Sequence, residues 1–188
     1  MNWTSYSFRI WLFRILVAIA AFLMIWSFTS PWWIAELSGI IGRTSIDIYA
    51  YGIQDREMPV ALMNYMSRDI TPLYQTVFAW VYLAVSVVLV LGSTWIKGIK
   101  GQAILGITGA GFIAYAATAA FIVIANRTAE FGIPFQGSVS ITAEGTTTNI
   151  STSLTGGYYM AYAAGGLLLS LAILRSIIIG KSMSFRQS

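Results

Sequence analysis

The 188-residue chain contains no cysteine and no histidine, and only 10% of its residues are charged. Without cysteine there is no disulfide, no thiolate nucleophile and no thiolate-held metal. Without histidine there is no imidazole base, and zinc or haem has no imidazole ligand. The missing thiols are compatible with either redox compartment. Soluble domains carry about 25% charged residues, so the shortage of charge beside 57% hydrophobic residues places the chain in the membrane class. No HExxH, GxSxG or Walker motif and no pair of carboxylates on one helix occurs; each needs fixed residue types at fixed spacing. The expectation is therefore a protein that is not an enzyme and carries no cofactor and no metal.

What charge there is has a pattern. A net charge of +4 would suit a nucleic-acid surface, but the basic residues bracket apolar runs and form no polar stripe, so no nucleic-acid partner is expected. Arg9, Arg14, Lys97, Lys100, Arg175, Lys181 and Arg186 fall on the side of the termini. Glu36, Asp47, Asp55, Glu57, Asp69, Glu130 and Glu144 fall in two long loops. This is the positive-inside distribution. It predicts a multi-pass protein of the plasma (cytoplasmic) membrane with both termini cytoplasmic and both long loops outside.

Four apolar runs supply the spans, at about residues 10–33, 73–96, 102–125 and 158–179, each long enough for a hydrocarbon core about 30 Å thick. The first is longer than a signal-peptide core and ends in Pro31-Trp32-Trp33 with no small-x-small cleavage site, so it reads as a retained helix. The Trp pair suits a membrane interface. Gly106, Ala110, Ala114 and Thr118 recur every four residues in the third run. Gly157, Ala161 and Gly165 do so in the fourth. Small stripes of this kind let helices approach closely. Thr108, Thr118 and Ser86 are polar but uncharged, and transporters usually place ionisable groups within their spans.

The outer loops, 34–72 and 126–157, hold strand signals. Ile46, Ile48 and Ala50 alternate with Ser45, Asp47, Tyr49 and Tyr51, and Gly52 marks a bend. Residues 58–66 read as a short amphipathic helix with Pro59 in its first turn. Val139, Ile141 and Ala143 begin a second alternation, and the Thr/Ser-rich stretch 146–154 returns, so 138–154 predicts a hairpin. Trp32, Trp33, Tyr49, Tyr51 and Gly52 are the expected outer contact surface. Asn149 and Asn126 sit in N-x-Ser/Thr sequons and are candidate glycosylation sites, Asn149 the better placed. The fold class expected is an integral membrane, mainly α protein: a single domain over 1–188, a four-transmembrane-helix bundle with a small extracytoplasmic β-sheet built from the two long loops.

This order of elements resembles the group of claudins, peripheral myelin proteins and calcium-channel γ-subunits. Pro31-Trp32-Trp33 is similar to the P-x-W that closes the group's first span. Gly52-Ile53 falls where the group has G-L-W, and Met58-Pro59-Val60-Ala61-Leu62 where it has a helix before span two. Gly109-Ala110-Gly111-Phe112 and the run from Ala163 to Leu169 also look like stretches of the group. Gln54 stands in place of the motif Trp, and the group's loop disulfide is impossible here. Packing by Ile46, Ile48 and the tyrosines has to hold the sheet instead.

The resemblance implies an accessory or structural subunit of a larger membrane assembly, or a self-associating protein, acting through helix packing and its outer β-surface. Its partners would be membrane lipid and other membrane subunits or copies of itself. The alternative is a pore or transporter component whose selectivity is set by Asp47, Asp55, Glu57 or Glu144.

Overall fold

The computed structural model describes residues 6–39, 42–56, 73–130, 132–143 and 146–179. Four helices within it are long and apolar enough to cross a membrane, which fits a multi-pass membrane protein. α1 runs over Tyr6–Thr29. It turns Phe13, Val17, Ala20, Ala21, Met24 and Phe28 inward, the three- and four-residue spacing of one helical face. The helix stops four residues before the sequence reading placed its end. Pro31 disfavours the helical conformation at Ser30, while the Thr29 hydroxyl donates back to the Ile25 carbonyl (3.1 Å).

α2 spans Leu73–Gly92 and also ends early, in a turn over 93–98. α3 spans Ile99–Ala117 and continues without a break through a π-helical stretch, Thr118–Ile124, into α4, Ala125–Glu130. The whole is 32 residues, or about 48 Å, well beyond the ~30 Å of a hydrocarbon core. The expected span at 102–125 is thus longer at both ends. α5, Gly156–Ile179, matches the expected fourth span closely. α5 packs between α1 and α3, and α2 lies at the periphery.

The sheet has five antiparallel strands in the order β3-β2-β1-β5-β4. They are β1 Trp33–Gly39, β2 Gly42–Tyr49, β3 Gly52–Arg56, β4 Gly137–Ala143 and β5 Thr146–Leu154. The hairpin expected at 138–154 is β4–β5, with Ile141 opposite Thr148. Two features differ from the sequence reading. The single strand expected over 45–53 is itself a hairpin: β2 ends at Tyr49, the chain turns at Ala50-Tyr51, and Gly52 opens β3 with φ 137. And β1, assigned to no strand from the sequence, is the centre of the sheet. It pairs with β2 (Ala35 opposite Ile46) and with β5 (Leu37 opposite Ile150).

Trp33, Ala35 and Leu37 of β1 join Ile46 and Ile150 in a second core. Ile124, at the end of the π-helical stretch, is buried in the same cluster. The long third helix therefore belongs to both layers. The short helix expected at 58–66 lies outside the described residues.

Candidate functional site

The seam between bundle and sheet is built from the residues that the sequence suggested for outer contact. The Trp32 indole N–H donates to the Ser27 carbonyl (2.8 Å) and to its hydroxyl oxygen (3.1 Å). The Ser27 hydroxyl donates to the Gly157 carbonyl (2.7 Å). Phe28, Tyr115 and Tyr158 meet the Trp32 ring edge-on. Trp33 donates through its indole to the Phe135 carbonyl (2.8 Å). The Tyr115 hydroxyl donates to the Ala50 carbonyl (2.5 Å) and the Thr76 hydroxyl to the Tyr51 carbonyl (3.1 Å). Thr155 reaches across to the Pro31 carbonyl. Each of these polar groups is satisfied by another element, which fixes the sheet rigidly to the helices.

This corrects the expected contact surface. Trp32, Trp33 and Tyr49 are 1%, 3% and 9% exposed, and Tyr51 and Gly52 are half-buried. The Tyr51 ring stacks on Trp80 and on Tyr49, with centroids 5.1 and 5.3 Å away. Burial first, and the neighbouring Tyr49 second, push its phenol above the usual tyrosine range. The Trp pair lies inside the protein because β1 begins at Trp33, so the aromatic rings that would have faced the interface fill the seam instead.

The two small-residue stripes have different fates. Gly157, Ala161 and Gly165 are all buried. A Cβ on Gly157 would stand 2.8 Å from the Ser30 carbonyl oxygen, and one on Gly165 would stand 2.9 Å from that of Gly109. The buried residues of α3 are Gly101, Leu105, Thr108, Gly109, Phe112 and Ala116; Gly101 and Gly109 meet α5, and Phe112 stacks on Phe28 and Tyr82. Of the expected stripe, Gly106 faces α5 while the rest lies outward. Gly106 is half-buried, with open contact to Ala172 at 3.8 Å, and Ala110, Ala114 and Thr118 are exposed. Expected packing residues Ala110 and Ala114 therefore lie outside this chain's core. The third helix carries two sets of small residues; periodicity alone does not say which one its own bundle uses.

The acidic candidates separate. Asp47 is 7% exposed within the sheet, opposite Ile34 and Gln54, and Glu36 is exposed on β1. The side chains of Asp55, Glu57 and Glu144 lie outside the described residues. Among the described residues no group of three acidic side chains is placed to hold a metal ion. Asn149 is exposed on β5, its side-chain oxygen accepting from the Ser140 hydroxyl (2.6 Å). Asn126 is exposed on α4, but the Thr128 of its sequon is buried and donates to the Ala125 carbonyl (3.0 Å). Sequence reasoning placed Arg175 only at a helix end; in the structure it is 6% exposed, its guanidinium on the Phe13 ring.

Compared with models of known families and with curated proteins, the chain matches none. Its function rests on its own geometry.

Proposed function

We propose that this is a non-enzymatic four-span membrane protein that works as an accessory or structural subunit, laying the open face of its third span against a helix of another subunit or copy. The observation that carries this reading is the exposed Ala110–Ala114–Thr118 stripe beside Ile107, which is 73% exposed. Small residues let a second backbone approach closely, the main source of helix association where lipid removes the hydrophobic drive. The equivalent stripe on α5 is already filled by its own bundle. The sheet is taken to lie outside the cytoplasm with both termini inside, because seven of the eleven basic residues and no aspartate or glutamate fall on the side of the termini. The four-span layout with a small sheet resembles that of the claudin-like group, without its disulfide.

Purification in a gentle detergent should recover the protein with a stoichiometric partner or as an oligomer. Ala114→Cys should cross-link to that partner inside the membrane. A monodisperse lone monomer with no cross-link would defeat the proposal. Reconstituted ion flux that vanishes when Asp47, Asp55, Glu57 and Glu144 are neutralised would replace it with a pore.

A further inference from the structure

At the end of the bundle away from the sheet, the first turn of α3 meets the buried Arg175 side chain of α5. The N-cap of α3, Gly98, has φ 69 and provides no side-chain hydrogen bond to the first amides of the helix. Gly101, third in the helix, would place a Cβ 2.7 Å from the Arg175 guanidinium carbon, so only glycine leaves that group its seat. One guanidinium nitrogen, Nη2, donates to the Ile96 carbonyl. The other, Nη1, is buried and has no hydrogen-bond partner among the described residues. The guanidinium carbon lies 5.3 Å from the Phe13 ring centre.

These groups are electrostatically alike. The start of a long helix carries roughly half a positive charge from its free amides, and it converges here with a whole cation. Lys97 and Lys100, both exposed, stand on the same turn, and Arg14 lies over Trp95 beside it (6.0 Å). No aspartate or glutamate occurs in 6–29, 73–129 or 156–179, the segments that meet here. A buried cation ordinarily has an anionic partner, since desolvation is costly without one. A carbonyl and an aromatic face supply only part of that. Among the described residues nothing lies within 4 Å of where a Cβ on Gly98 would be, which leaves space beside the helix start.

We propose that the first turn of α3 and Arg175 bind a phosphate group, carried by an anionic lipid headgroup or as free inorganic phosphate. Its several acceptor oxygens match a guanidinium fork together with helix-start amides. The inference needs the four spans to lie in a membrane but does not need the accessory-subunit reading, so a lone monomer can still bind.

The test uses the full chain, delipidated in a neutral detergent, with phosphatidylglycerol, phosphatidylcholine or sodium phosphate added at matched ionic strength. Phosphatidylglycerol should raise the melting temperature by about 5 °C over phosphatidylcholine, and native mass spectrometry should show a roughly tenfold preference for it. Arg175→Gln and the surface change Lys100→Glu should each abolish the preference with an unchanged circular-dichroism spectrum. Arg9→Gln, one helical turn before Phe13, removes the same charge and should leave the preference intact. Protection by phosphatidylglycerol in phosphate-free buffer identifies the lipid as the source. Protection by millimolar phosphate alone identifies the free ion. Equal retention of both lipids with no effect of phosphate, or loss of preference in all three variants alike, would overturn the site.

Discussion

Two residues on either side of the seam show how little tolerance it has. Trp32→Phe keeps the ring contacts but strips the N–H that two Ser27 oxygens accept, and should cost about 1–2 kcal/mol. In a thermal melt in detergent that is a drop of several degrees. Gly157→Ala should cost at least as much, about 1–3 kcal/mol, because the added methyl meets backbone carbonyls at Ser30 and Pro31 that have no rotamer to yield. A wild-type melting temperature for Gly157→Ala would mean that α1 and α5 do not approach as described. Gly157 was legible in the sequence as a member of a small stripe. The inward turn of Trp32 was not, because a tryptophan after a span's terminal proline suits lipid headgroups and a protein seam equally well.

Among elements, the third helix departs furthest from the sequence pattern. A π-helical stretch of seven residues, Thr118–Ile124, accommodates one extra residue in the helix and so resets the phase of the turns beyond it. That phase puts Ile124 into the sheet core and buries Thr128. Ile124→Ala should leave a cavity between this helix and the sheet and cost about 2–5 kcal/mol. Amide exchange in β1 and β5 should then quicken while α1 and the lower half of α5 keep their protection. Unchanged exchange across the sheet would show that Ile124 does not hold it.

The missed strand β1 has a similar explanation. Trp33, Ala35 and Leu37 alternate with Ile34, Glu36 and Ser38, but the alternation is blurred by Ile34 and abuts a long apolar run. Its central position comes only from the two strands that pair with it, one of them more than a hundred residues away.

For the molecule as a whole, the absence of native cysteine makes the orientation directly testable. Single Ser138→Cys and Ser153→Cys variants, both at exposed sheet positions, should react with an impermeant maleimide on intact cells. Lys97→Cys, exposed in the turn before α3, should react only after the membrane is opened. The reverse pattern would invert the topology argued from charge. The sequence by itself determined the membrane class, the number of long apolar helices and the hairpin β4–β5, because these depend on local composition and short-range periodicity. Tertiary structure alone decided which face of each helix is filled, that the Trp pair faces inward, and that β1 is central. A stripe of alanines or a run of alternating residues is the same in sequence whether its neighbour is protein or lipid; only packing from distant parts of the chain tells them apart.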